Sequence, residues 1–104
     1  VVSRMRSKIR LKFLRRLLLL ITPNISNLGA ISQQLRRYRE AVGYYQRAHG
    51  IQSITYGHRH PATAATLSNL GSAHSQFGEH NRAVECLGDA LAVQDNKARK
   101  LVYS

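Results

Sequence analysis

The sequence predicts an all-α chain: helix–turn–helix repeats stacked as a short α-solenoid of two units, with a flanking N-terminal helix. Three observations carry this expectation. Ser26-Asn27-Leu28-Gly29 recurs 42 positions later as Ser68-Asn69-Leu70-Gly71, and the echo continues in Gln34/Gln76, Ala41-Val42/Ala83-Val84, Ala48/Ala90 and Gln52/Gln94. Within each copy the apolar residues fall at i, i+3 and i+4, the spacing of one helical face. The 104 residues contain no Trp, two Pro and 7% aromatics, a composition that suits helices better than many short strands and turns.

Residues 1–21 form a basic and apolar segment ahead of the repeats. Repeat 1 is expected over about 22–56. Thr22-Pro23 reads as a start signal, with Thr22 as the cap and Pro23 in the first turn, where its missing N–H costs nothing. Ile25, Leu28, Gly29 and Leu35 then mark one apolar face. Arg36-Arg37 is the turn, and it lacks a glycine. Tyr38, Ala41, Val42, Tyr45 and Ala48 mark the face of the second helix, which Gly57 ends. Repeat 2 is expected over about 61–96. His60 is pushed toward extended backbone by Pro61, which opens the next helix. Leu67, Leu70, Gly71 and Phe77 follow, Gly78 supplies the turn, and Ala83, Val84, Leu87, Ala90 and Leu91 mark the last helical face. Residues 97–104 are a basic tail.

Glycine inside a helix costs about 1 kcal/mol relative to alanine. Its use at the same point of both copies, Gly29 and Gly71, predicts that a neighbouring helix comes close there. Ala41, Ala48, Ala83 and Ala90 are expected to offer small surfaces at that approach, with Tyr45 and Leu87 filling the remaining gaps.

A net charge of +11 suggests a nucleic-acid binder until the charge is located. Seven of the sixteen basic residues lie in the first sixteen positions (Arg4, Arg6, Lys8, Arg10, Lys12, Arg15, Arg16), and Lys97, Arg99 and Lys100 lie in the tail. The repeated body between them holds six Arg and all five acids, so it is nearly neutral. No phosphate-cradling glycine motif, nucleophile elbow or metalloprotease helix is present, which argues against an enzyme. His58 and His60 sit two apart without an acid or thiol, a weak metal signal, so neither a metal nor a cofactor is expected. Cys86 is the only cysteine. It fits a reducing compartment and reads as a small apolar helix residue.

The pattern Leu70, Gly71, Gly78, Ala83, Leu87 and Ala90 resembles the tetratricopeptide repeat. The 42-residue period, Gly57-His58-Arg59-His60-Pro61, Thr63-Ala64 and Leu67-Ser68-Asn69-Leu70-Gly71 resemble the longer repeats of kinesin light chains and their relatives. Three features depart from that pattern: His74 and His80 stand where larger aromatics are usual, and copy one lacks the turn glycine. The resemblance implies a protein–protein interaction scaffold in which the first helix of each pair lines a concave face. On that face it implies candidate peptide contacts at Asn27 and Asn69, joined by Ser26, Ser68, Ser72, Gln33 and Gln76. These short uncharged side chains can hydrogen-bond a peptide backbone without demanding charge on it.

The expected partner is a protein or peptide, and the expected setting is the cytoplasm. Two repeats are few for a stable solenoid, so the chain reads as a piece of a longer protein, or one whose open ends self-associate. The alternative function is nucleic-acid or anionic-membrane binding through residues 4–16. The absence of any acid before Glu40 makes a mitochondrial destination the alternative location.

Overall fold

The computed structural model describes the backbone over residues 2–103 and the side chains over residues 8–95. It contains four helices: α1 (Val2–Gln34), α2 (Tyr38–Thr55), α3 (Pro61–Phe77) and α4 (His80–Tyr103). The basic side chains of Arg4, Arg6, Lys97, Arg99 and Lys100 lie outside the described ones. Each helix packs on the next, α1 on α2, α2 on α3 and α3 on α4. The result is a slab of 52 × 40 × 19 Å. A helix of 33 residues is about 50 Å long, so α1 sets the long dimension, and 19 Å is the thickness of two helix layers.

The two intra-repeat turns have the same backbone geometry, 42 residues apart. After α3, Gly78 takes φ +94°, its N–H bonds the Ser75 carbonyl, and Glu79 N–H bonds the His74 carbonyl at 2.8 Å. After α1, Arg36 N–H bonds Gln33 and Arg37 N–H bonds Ser32 at 2.8 Å. Both turns are Schellman closures, which require one residue in the left-handed region. In repeat 1 that residue is Arg36, at φ +61°. An L side chain held there costs on the order of 1 kcal/mol. Arg36→Gly is therefore expected to stabilise the chain by about 0.5–1 kcal/mol, read as a higher urea midpoint at unchanged slope. The same Gly placed at exposed Arg47, in the middle of α2, is expected to destabilise by a similar amount.

The surface ion pair beyond each turn is also repeated, but with its charges exchanged. Arg37–Glu40 (4.0 Å) in repeat 1 becomes Arg82–Glu79 (3.1 Å) in repeat 2. Both pairs are i,i+3 and exposed enough to contribute little stability.

The linker between repeats is built as the His-Pro motif suggested. α2 ends at Thr55 with Tyr56 as its C-cap, and Gly57 turns the chain at φ +90°. His60 is extended, at φ −75° and ψ 139°, and its Nδ1 accepts the Ala62 N–H at 3.1 Å, capping α3 with Pro61 in the first turn. Thr63 is fully buried and donates its hydroxyl to the Gly57 carbonyl at 2.9 Å. Tyr56 stacks on the His60 ring at 4.3 Å.

The start signal expected at Thr22-Pro23 is not used. α1 runs through both residues without a break. Thr22 is no cap: it is buried, and its hydroxyl donates back to the Leu18 carbonyl at 2.6 Å. Pro23 removes one i−4 hydrogen bond, and its ring lies on the exposed side, where a helix tolerates it best. At the end of α2, the Arg15 guanidinium donates to the Thr55 carbonyl. This contact ties the N-terminal half of α1 to the repeat.

The core centres on Ala41, Val42 and Tyr45 of α2 with Leu70 and Ala73 of α3, and Leu67 and Cys86 pack against it. Ala48, Ala83 and Ala90 are buried, as the periodicity required. The close approach at the glycines is real, but its partner is not an alanine. A Cβ on Gly29 would lie 2.8 Å from the Tyr45 ring, and one on Gly71 would lie 2.9 Å from Leu87 Cγ. Each glycine makes room for the large residue of the following helix, and the alanines fill the flanks.

Several residues assigned to apolar faces are exposed, and their repeat partners explain why. Val42 is 9% exposed where Val84 is 70%, and Leu70 is 6% where Leu28 is 45%. α2 and α3 cover each other. α1 and α4 each keep one flank open, so Leu28, Val84 and Leu91 face solvent and Leu87, packed on Gly71, stays partly exposed. Leu35 and Phe77 are exposed for a different reason: they lie at the ends of α1 and α3, beside the turns.

Candidate interaction face on α1 and α3

α2 packs against both first helices of the repeats, α1 and α3. A side-chain network joins α1 to α3 directly. The Gln33 amide donates to Gln76 Oε1 at 2.6 Å and to Ser72 Oγ at 3.3 Å. Its carbonyl oxygen accepts the Tyr45 hydroxyl from α2 at 2.9 Å. Three of the seven residues singled out by sequence, Gln33, Ser72 and Gln76, are therefore brought together at the surface. Tyr45 fixes which way the Gln33 amide points.

Asn27 and Asn69 occupy the same position of the two copies and are both exposed. Ser26 and Ser68, beside them, are half-buried. In α1, Asn27 and Gln34 lie two turns apart on one side, with Ala30 between them. The face offers amides and hydroxyls and, over residues 24–35, no charge.

The titratable groups near the core are tuned by burial. Desolvation raises the Tyr45 phenol above its usual range, so it remains a hydrogen-bond donor to Gln33. Burial also raises the Cys86 thiol, and Asp89 and Glu85 add to the effect by disfavouring a second negative charge. Cys86 is accordingly a packing residue with little thiolate character. His49 is shifted down, first by burial and then by His58, whose ring lies 6.4 Å away, while Asp89 opposes both. His74 is buried, with its Nδ1 3.7 Å from Glu79 Oε2, too far for a hydrogen bond. It fills the position that Ser32 fills in repeat 1. Among the described residues no three metal-ligating side chains cluster, and His60 acts as a helix cap.

Sequence reasoning missed the roles of Tyr45 and Arg15. Tyr45 was read as a gap-filler, and nothing local pairs its hydroxyl with a glutamine twelve residues upstream. Arg15 was counted only as one of a run of charges. A signal for Tyr45 did exist: its repeat counterpart is Leu87, and Gln33 pairs with Ser75, so the polar pair occurs in copy one alone.

Comparison with known proteins agrees with this architecture. The tetratricopeptide-repeat profile matches residues 20–96. The human and mouse proteins named cell division cycle protein 16 homolog are each 32% identical over 72 residues, covering 69% of this chain and 10% of theirs. The Arabidopsis thaliana protein KINESIN LIGHT CHAIN-RELATED 3 is 30% identical over 73 residues, covering 70% of this chain and 11% of its own. The chain thus spans about a tenth of the length of these curated relatives. With two stacked helix pairs, a 42-residue period and glycine-mediated packing inside each pair, the chain belongs to the tetratricopeptide-repeat family and carries repeats of the kinesin light-chain kind.

Proposed function

We propose that the α1/α3 face binds an extended peptide segment of a partner protein. Tetratricopeptide repeats are non-catalytic protein–protein interaction modules, so a protein partner follows from the family. The observation that supports this particular face is the Gln33–Ser72–Gln76 cluster. It sets amide and hydroxyl groups of two successive repeats side by side at the surface, on the two helices that also carry exposed Asn27 and Asn69. An extended peptide exposes alternating N–H and C=O groups, and neutral amides can match both. Cys86, a lone and poorly ionised thiol, supports a reducing cytoplasmic setting, with a mitochondrial one as the alternative.

The test begins with peptides selected from a displayed library on the full chain. Asn27→Ala/Asn69→Ala is expected to weaken the selected peptide by about tenfold or more, at roughly 1 kcal/mol for each lost hydrogen bond. Both positions are exposed, so far-UV circular dichroism is expected to stay unchanged. Unchanged affinity would remove these residues from the site.

The open flanks support a second contact, with a further repeat unit. α4 presents Val84, Leu87 and Leu91 where α2 presents Val42 and Tyr45 to α3, and α1 presents Leu28 and Ile31 where α3 presents Leu70 and Ala73. A second copy can therefore stack end to end, and such a heterologous contact does not close on itself. Sedimentation at rising concentration is expected to show an open series of oligomers that Val84→Asp abolishes. A monomer at all concentrations would sink this contact.

A further inference from the structure

The first turns of α1, upstream of Arg15, extend beyond the repeat. α3 begins at Pro61, whose counterpart in α1 is Leu19, so everything before Leu19 exceeds the repeat's length. Arg15 meets Thr55, the last residue of α2, and residues upstream of that contact have no α2 beside them. This overhang is helical, yet it exposes large apolar side chains, Ile9 and Leu11 at 66%, Phe13 at 63% and Leu14 at 53%, with Leu20 just beyond it at 71%. At about 100° per residue, Ile9, Phe13, Leu17 and Leu20 fall within one arc of about 80°, with Leu14 and Leu11 lying outside it. Lys8, Lys12 and Arg16 lie together beside that arc, and Arg10 lies at its other margin. No acid occurs anywhere in α1.

We infer that this overhang is a membrane-surface helix, which lies on an anionic phospholipid bilayer with the Ile9–Leu20 arc in the acyl boundary and its lysines and arginines at the phosphates. The charge selects an anionic occupant. The row of exposed large aliphatic side chains selects lipid, because nucleic acid is gripped by phosphate contacts and aromatic stacking, and Phe13 is the one aromatic in residues 8–21. A second copy's overhang is disfavoured as the occupant, because it carries the same basic residues. Among the described residues no helix is long and apolar enough to cross a membrane, so the helix rests on the surface. Since α1 continues unbroken through Thr22-Pro23, the bound helix would fix the orientation of the peptide face relative to the bilayer.

The chain contains no Trp, so Phe13→Trp in the full chain is a unique reporter. Its emission is expected to shift to the blue with vesicles of phosphatidylcholine plus phosphatidylserine, and to stay put with phosphatidylcholine alone. Lys8→Glu/Lys12→Glu/Arg16→Glu is expected to lower the partition coefficient on the order of a hundredfold or more. Phe13→Ser/Leu20→Ser, with every charge intact, is expected to lower it by tenfold or more. Circular dichroism checks that each variant keeps its helices. Equal binding to neutral and anionic vesicles overturns the inference. So does binding that survives Phe13→Ser/Leu20→Ser and is competed away by polyuridylate RNA, which would assign the basic face to nucleic acid.

Discussion

Tyr45→Ala is expected to be the most damaging single substitution in the chain, at about 3–5 kcal/mol, the usual range for emptying a buried aromatic site. Tyr45 is 2% exposed, lies in the central core cluster and presses its ring against Gly29. A small domain has only about 5–15 kcal/mol of stability in total, and two repeats stand at the low end. The expected observation is a urea or thermal transition shifted far down or no longer cooperative. Tyr45→Phe keeps the ring and is expected to cost about 1 kcal/mol, because Gln33 Oε1 loses its donor. Combining it with Gln33→Ala gives a double-mutant cycle, in which a coupling of about 1 kcal/mol is expected. Zero coupling would show that the hydroxyl contributes nothing through Gln33.

The second large effect is an asymmetry between two glycines that look equivalent. Gly29→Ala and Gly71→Ala each gain about 1 kcal/mol of helix propensity. Each also sets a Cβ below 3 Å from a side chain, 2.8 Å from Tyr45 and 2.9 Å from Leu87. The neighbours differ in their freedom to yield. Tyr45 is enclosed by α1, α2 and α3 and held by its hydroxyl, so the overpacking strain has no outlet and exceeds the propensity gain. Gly29→Ala is expected to destabilise by about 1–2 kcal/mol. Leu87 is 39% exposed on the open flank of α4 and can rotate away, leaving Cys86 Cβ at 3.2 Å to give slightly. Gly71→Ala is expected to stay within about 0.5 kcal/mol of the parent chain. Denaturant midpoints decide it. Equal losses at both sites would mean that α4 is held as firmly as α2, which its open flank contradicts.

How much of this was legible beforehand depended on whether the cause was local. Gly57, Gly78 and His60-Pro61 were readable because each acts within a few residues, through a positive φ or a capped first turn. Thr22-Pro23 carried the same kind of signal and was misleading. A proline at N1 and a proline inside a helix look alike in sequence. The helix continues because Leu18 and Leu19, upstream, pack as half-buried residues, Arg15 bonds the end of α2, and Thr22 bonds back to Leu18. Arg36 is the converse case. Its local preference opposes a left-handed turn, and the docking of α1 against α2 imposes it.

The candidate face was legible only as a set of positions. The 42-residue offset placed Asn27 with Asn69 and Ser26 with Ser68. It did not bring Gln33 to Ser72 and Gln76, because those residues sit at non-equivalent points of their repeats and meet only when α3 lies beside α1.

By itself, the sequence determined that the chain is a pair of helical hairpins of one repeating design, with glycine at the crossing point of each. Periodicity and self-similarity are properties of the chain and survive without coordinates. Only the tertiary structure decided which apolar residue is core and which is open flank. Val42 and Val84 are identical in kind and position, and they differ because α3 covers one and none of the chain's described residues covers the other.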